Sequence, residues 1–197
     1  KYFVPVLLSV SFLEGGVLMA FEILSSKLYT PFLGSSIYVW TSILTLTLAG
    51  LAFGYRIGGK LSREKPVKHL RYALVVAAIT VAGSVYTAAP VLESLLDMDV
   101  KVASLLGGIA IILIPVTAMG MVSPLMVGIL NKKGITVSIA SGLVYGIGTL
   151  GGIVLLLMTT FTLIPSIGVR ASIFLMAALL LLSLAIVYLT KIGKDEN

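Results

Sequence analysis

The sequence contains no cysteine, one histidine and few charged residues for its length. The lack of cysteine excludes disulfide bonds and thiolate metal sites, and a single histidine, His69, cannot form a cluster of imidazole ligands. We therefore expect no metal site and no cofactor. Only 11% of the 197 residues are charged and 58% are hydrophobic, against about 25% charged and 45–50% apolar in soluble proteins. The composition indicates a polytopic membrane protein.

Long apolar runs predict an all-α fold with six transmembrane helices, in one domain that covers residues 1–197. The mean hydropathy is +1.13, and a helix that crosses a bilayer needs about 20 apolar residues. No cleavable signal peptide is evident, because the first apolar run is too long. The predicted spans are Phe3–Leu28, Ser36–Gly58, Arg71–Leu92, Val102–Leu130, Val137–Ile164 and Val169–Thr190.

The basic residues collect in alternate loops between the predicted spans, and the acidic loop lies between them. Positively charged loops usually face the cytoplasm, so we expect a plasma-membrane protein with both termini cytoplasmic. The net charge of +6 then reflects orientation, and we expect no nucleic-acid partner. The basic residues are Lys60, Arg63, Lys65, Lys68, Arg71, Lys132, Lys133, Lys191 and Lys194, and the acidic loop holds Glu93, Asp97 and Asp99.

Two carboxylates, Glu14 and Glu22, lie within the first predicted span. A charge inside the bilayer costs several kcal/mol unless a partner offsets it, so such residues mark functional sites. Eight residues of helix separate the pair by about 12 Å and about 80°, and one cavity could therefore contact both. Aromatic faces also attract cations. The predicted ligand-binding residues are Glu14, Glu22, Tyr38, Trp40 and Tyr145.

Four of these residues also have a structural interpretation. Glu14 could be a neutral carboxyl hydrogen-bonded to another helix, and Glu22 could pair with Lys27 or with a nearby serine. Tyr38 and Trp40 could anchor the second span at the membrane interface.

The fourth predicted span contains two prolines, Pro115 and Pro124. Each removes a backbone hydrogen bond, so we predict helix breaks there. Two interpretations stay open: a structural kink, or a broken helix that lines a cavity as in transporters.

Glycines recur every four residues in the second and fifth spans and predict helix faces that pack closely within the chain, with a face between two copies of the chain as the alternative. The run Gly146–Gly151 fits G-x-G-x-x-G, but it lies in an apolar helix and is interpreted as a packing stripe. The two striped helices are the middle helices of spans one to three and of spans four to six. The two halves could therefore form a 3+3 inverted repeat. The two stripes are Gly50, Gly54 and Gly58, and Ser138, Gly142 and Gly146.

Several patches, in order, resemble the membrane portion of spermidine-synthase-like membrane proteins, which combine a major-facilitator-like domain with a spermidine synthase. The patches are Leu18–Glu22, Pro31–Trp40, Gly54–Lys60, Met119–Pro124, Gly142–Gly152 and Ile164–Gly168. The resemblance implies a half-major-facilitator-like bundle and places Glu22 at an acidic position of the family. Ser62 departs from the pattern, since relatives commonly carry an aspartate there. Because the chain stops at Asn197, before an aminopropyltransferase-like domain, we expect no enzyme activity.

Two functions follow as hypotheses. In the first, the chain binds or transports a small cation, such as a polyamine, through its membrane-embedded carboxylates. Six spans are few for an alternating-access carrier, so this hypothesis expects a homodimer or a partner subunit. In the second, the chain is a membrane anchor or scaffold for a cytosolic spermidine-synthase-like domain or partner complex.

Overall fold

The computed structural model describes residues 3–190, and within this range the chain forms helices joined by short turns. No β-strand occurs between residues 3 and 190, which confirms the predicted all-α fold. Lys191 and Lys194, which contributed to the predicted orientation, lie outside the described residues. The elements are α1 (Phe3–Leu33), α2 (Ile37–Leu61), α3 (Pro66–Glu93), α4 (Val100–Ile111), α5 (Leu113–Gly120), α6 (Val122–Lys132), α7 (Val137–Met158), a π-helical turn (Thr159–Leu163) and α8 (Ile164–Leu189).

Local residue chemistry explains where several helices begin and end. Gly34 has a φ of +72°, which residues other than glycine rarely adopt, and this ends α1. The Ser36 hydroxyl accepts a hydrogen bond from the Val39 N–H (3.4 Å) and caps α2, while the Asp99 carboxylate accepts one from the Lys101 N–H (2.9 Å) and caps α4. Pro66 occupies the first position of α3, where a missing N–H is harmless.

Five stretches within residues 3–190 are long and apolar enough to cross a membrane, judged by length and composition. They are Phe3–Leu33, Ile37–Leu61, Pro66–Glu93, Leu113–Lys132 and Val137–Leu189. The structure therefore fits a multi-pass membrane protein, but the count does not confirm six spans. The difference arises because the last stretch, which is 53 residues long, includes the fifth predicted span and all but the last residue of the sixth.

The backbone of that last stretch is interrupted at Gly168, which has φ +80° and ψ 172°. A positive φ with an extended ψ does not fit an α-helix and is a conformation that glycine adopts readily, so the helix axis changes direction there. The interruption lies between the fifth and sixth predicted spans, which end at Ile164 and begin at Val169.

The fourth predicted span is divided at Ile112 and Met121, each three residues before a proline. A proline ring clashes with the carbonyl of residue i−4, which explains the position of each interruption. Ile112 and Met121 nevertheless keep right-handed helical angles. The predicted breaks at Pro115 and Pro124 are therefore kinks in a helical path without an unwound segment.

Helix α7 runs parallel to α1, and α4–α6 run parallel to α2. The Ser11 hydroxyl donates a hydrogen bond to the Val144 carbonyl (2.6 Å), and Gly16 faces Leu155 further along both helices. In the second group the hydroxyls of Ser42 and Ser104 are 2.8 Å apart. The chain thus forms two parallel helix pairs.

Helix α8 runs antiparallel to α3. The Arg71 guanidinium lies 4.3 Å from the centre of the Tyr188 ring. At the other end of the pair, the Tyr86 and Phe174 rings lie 6.0 Å apart. Residues early in α3 therefore meet residues late in α8, so these two helices run in opposite directions.

The glycine stripe of α2 packs within the chain, as predicted. A Cβ built on Gly54 would lie 2.8 Å from the Gly120 Cα, and one on Gly58 would lie 2.8 Å from the Met121 Cα. Such distances are too short for any side chain, so the α2 and α5–α6 backbones touch directly.

The stripe of Ser138, Gly142 and Gly146 behaves differently, because a Cβ on either glycine meets nothing within 4 Å. That stripe is exposed, so the prediction that it packs within the chain is wrong, while the alternative of a dimer face stays a prediction. The glycines that pack α7 onto α1 are Gly148, Gly151 and Gly152, which lie on another face of the helix. A stripe read from spacing alone does not reveal which face meets a neighbour.

Candidate functional site

A cavity of about 210 Å³ lies among α1, α2, the α5–α6 kink and α7. Its polar lining groups come from four different helices, and most of the rest of its wall is aliphatic. The residues that line it are Glu14, Gly15, Leu18, Met19, Leu51, Tyr55, Gly120, Ser123, Val144, Tyr145, Gly148, Thr149, Gly152, Ile153 and Leu156. Pockets of this kind, apolar with a few polar groups, are typical of sites for small molecules.

Glu14 is the charged group of this cavity. It is the twelfth residue of α1, about 16 Å along the helix from Phe3, and only 3% of its surface is exposed. Its side chain makes no hydrogen bond and no ion pair to any residue between 3 and 190. The interpretation of Glu14 as a carboxyl bonded to another helix therefore finds no partner in the part of the chain that the structure describes.

The close approach of α1 and α7 brings Glu14 to the cavity. A Cβ on Gly15 would lie 2.7 Å from the Gly148 carbonyl carbon, and a Cβ on Gly151 would lie 2.7 Å from that of Phe12. Because glycines face each other, no side chain separates the two helices. The glycines after Glu14 thus make room for a neighbouring helix, and Gly15 also forms part of the cavity wall.

Two tyrosines from opposite walls meet beside the cavity. The Tyr55 and Tyr145 rings are 6.1 Å apart and nearly perpendicular, at 84°, a favourable edge-to-face arrangement. Both side chains are partly exposed, at 40% and 42%. The pair therefore links α2 to α7 at the border between the cavity and the surface of the bundle.

The second proline kink forms part of the cavity wall. Gly120 and Ser123 flank the interruption at Met121 and line the cavity. The Thr117 hydroxyl, one turn earlier, donates a hydrogen bond to the Leu113 carbonyl (2.7 Å). Although the helix is kinked without unwinding, its kink does contribute to a cavity, so the two interpretations of the prolines are not exclusive.

Of the five predicted ligand-binding residues, the structure brings Glu14 and Tyr145 together in this cavity. Glu22, Tyr38 and Trp40 are not among its lining residues. Glu22 is half-buried and lies about 12 Å further along α1. The two aromatic residues lie at the start of α2, about 22–25 Å from the level of Tyr55.

The contacts of Glu22 and Tyr38 bear on the structural interpretations of these two residues. Glu22 forms no ion pair with Lys27 within the described range. Tyr38 is 46% exposed and lies beneath the Lys101 ammonium, 5.0 Å from its ring centre. This contact belongs to the end of the bundle that holds the acidic loop, where an interfacial anchor would lie.

Tyr55 and Ser123 line the cavity but were not among the ligand-binding residues predicted from the sequence. Tyr55 follows Gly54, the glycine at which α2 touches α5–α6. The sequence feature that could have indicated Tyr55 is therefore a tyrosine beside a glycine of the packing stripe. Ser123 precedes Pro124. A hydroxyl group next to a proline within a helix is the feature that could have indicated Ser123. Neither signal is specific without knowledge of which helices are neighbours.

The cavity can compensate a positive charge on a ligand. It offers one carboxylate, aromatic faces and the hydroxyls of Tyr55, Ser123, Tyr145 and Thr149. Within the described range, no group of three or more His, Asp or Glu side chains could hold a metal ion. A buried carboxylate beside aromatic rings is suited to an organic cation.

No family model, curated protein or solved structure matches this chain. The resemblance to spermidine-synthase-like membrane proteins therefore stays a prediction from the sequence patches, and the residues themselves carry the functional argument.

Proposed function

We propose that the chain is a membrane-embedded module that binds a small cation at Glu14 and carries it across the bilayer. The observation that carries the proposal is a carboxyl group 97% buried, without a side-chain partner in the described range, and facing a cavity. Such a group in the middle of an apolar helix is unfavourable as a charge unless a cation joins it. Tyr55 and Tyr145 would surround that cation with aromatic faces.

Six membrane crossings are part of this proposal. Since α7 runs parallel to α1 and α8 antiparallel to α3, the stretch Val137–Leu189 crosses twice, with its turn at Gly168. A continuous helix of 53 residues would be about 80 Å long, far more than the thickness of a bilayer. Helices α4–α6 together then form one kinked crossing.

The helix neighbours also support the proposed 3+3 inverted repeat. The first and fifth crossings are parallel neighbours, and the fourth and second crossings are parallel neighbours. A two-fold axis in the membrane plane exchanges these two pairs. The same axis exchanges the third crossing with the sixth, and these are neighbours too. Inverted repeats of this kind are typical of transporters, in which substrate sites lie near the midplane between the repeats.

The orientation that we propose places the basic end in the cytoplasm. At this end the Lys133 ammonium lies 5.7 Å from the Phe3 ring centre, and Lys132 donates a hydrogen bond to the Glu64 carbonyl. The start of α1, the α2–α3 loop and the end of α6 are therefore at one end. The plasma membrane with cytoplasmic termini satisfies the positive-inside rule.

Uptake of labelled organic cations by proteoliposomes that contain the full chain tests the proposal. Methylammonium, pentylamine, putrescine and spermidine are the probes. We expect at least one to accumulate, and Glu14→Gln to abolish its accumulation. Glu22→Gln is the matched control, because it removes a carboxylate from the same helix outside the cavity. Equal uptake by the wild type and Glu14→Gln, or uptake of none of the probes, would contradict the proposal.

One observation favours the anchor or scaffold function as a second candidate. The contact between Arg71 and Tyr188 places the end of α8 beside the basic loop, where a cytosolic domain or partner would be tethered. A reading frame that continues beyond Asn197 into an enzyme domain, or an adjacent enzyme gene, would favour this function.

A further inference from the structure

The charge and the size of the Glu14 cavity restrict which small cations can bind there. We infer that the site takes a monovalent amine with a short apolar body, rather than a diamine or a polyamine. This inference rests on the proposed function, and it concerns the number of charges that the site can compensate.

The cavity can compensate one positive charge. Glu14 is the one carboxylate among the cavity-lining residues, and no Asp, Lys, Arg or His is among them. One carboxylate and one ammonium form a neutral pair. A second ammonium would stay uncompensated in apolar surroundings, where a lone charge is strongly unfavourable.

The position of Glu22 strengthens this argument. A polyamine could span two carboxylates if both faced one cavity, as the sequence spacing allowed. Glu22 does not line the cavity, and it lies about 12 Å away along α1. The structure therefore offers no second acidic group from the described residues within the cavity wall.

The size and the lining of the cavity favour a ligand with a short apolar body. Its volume of about 210 Å³ is below the range of about 300–1,000 Å³ that is usual for drug-sized ligands. Apart from the polar groups and glycines, the wall consists of apolar side chains, namely Leu18, Met19, Leu51, Val144, Ile153 and Leu156. A ligand whose ammonium group pairs with Glu14 and whose short hydrocarbon tail packs against this wall matches both the carboxylate and the apolar side chains.

A matched pair of ligands tests the inference. Pentylamine and 1,5-diaminopentane have the same five-carbon chain and differ in one ammonium group. Calorimetric titration of each into the full chain in lipid nanodiscs, corrected with empty nanodiscs, gives the two dissociation constants. We expect the diamine to bind at least about tenfold more weakly than pentylamine, and spermidine more weakly still.

Variants separate the possible outcomes. Glu14→Gln should abolish pentylamine binding, Glu22→Gln should leave it within about twofold, and Glu14→Asp, which keeps the charge, should retain weakened binding. If the diamine or spermidine binds as tightly as pentylamine, and Glu14→Gln abolishes that binding, the monovalent inference is overturned while the proposed function stands. If no amine binds, or Glu14→Gln binds as the wild type does, both are overturned.

Discussion

Replacing Gly151 with alanine should separate α7 from α1 and destabilise the bundle. A Cβ at this position would lie 2.7 Å from the Phe12 carbonyl carbon and closer still to its oxygen. The obstacle is backbone, which cannot rotate away as a side chain can. The helices must therefore move apart by several tenths of an ångström or more, and the contacts along their interface weaken.

The magnitude follows from two opposing effects. Overpacking in a tight interface costs about 1–3 kcal/mol, whereas alanine in a helix is favoured over glycine by about 1 kcal/mol. Gly146→Ala in the same helix is the matched control, because its Cβ would meet nothing within 4 Å. The helix-propensity gain is shared, so Gly151→Ala should be less stable than Gly146→Ala by about 1–3 kcal/mol.

Unfolding of the two variants in bicelles, followed by circular dichroism, measures this difference directly. The expected order of stability is Gly146→Ala at or above the wild type, with Gly151→Ala clearly below Gly146→Ala. Equal stabilities for the two variants would show that α1 and α7 do not touch at Gly151, and the geometry that places Glu14 in its cavity would then be wrong.

Three further predictions concern the rest of the bundle. Gly54→Ala should be less stable than Gly59→Ala by about 1–3 kcal/mol in the same unfolding assay, because only the first Cβ would meet a neighbouring backbone; equal stabilities would argue against the α2–α5 contact. Ser42→Ala removes a buried hydroxyl contact with α4 and should cost about 0.6 kcal/mol, at most about 1.7, so a stabilised variant would contradict that contact. Because the chain has no cysteine, Lys65→Cys and Asp97→Cys can be labelled cleanly with a membrane-impermeant maleimide, and we expect labelling from opposite sides of the membrane; labelling from one side would refute the proposed topology.

The sequence predicted those features of the fold that depend on local chemistry. Apolar runs located the helices, and Pro115 and Pro124 located the kinks of the fourth span, because a proline disturbs its own helix whatever surrounds it. The stripe Gly50, Gly54 and Gly58 was correctly interpreted as a packing face. These signals act within one helix, and the fold preserves them.

Features that depend on how helices are rotated against one another were not predictable in this way. Glu14 and Glu22 share a broad face of α1, yet only Glu14 lines the cavity, because α7 packs at the level of Gly15 and leaves Glu22 further along. Tyr55 joins the site only because its ring on α2 meets the Tyr145 ring on α7. The spacing of two residues along a helix gives the angle and the axial distance between them. Which other helix each residue faces depends on how the helices pack in the bundle.

The central claim is that the Glu14 carboxyl is the group that meets the cation. Solid-state carbon NMR of the chain in lipid, with ¹³C-labelled glutamate carboxyls and Glu14→Gln to assign the signal, observes this group itself. Addition of pentylamine should shift the Glu14 carboxyl resonance, and addition of pentanol, which has the same carbon chain without the charge, should not. A Glu14 resonance that ignores pentylamine, or that responds equally to pentanol, would contradict the account.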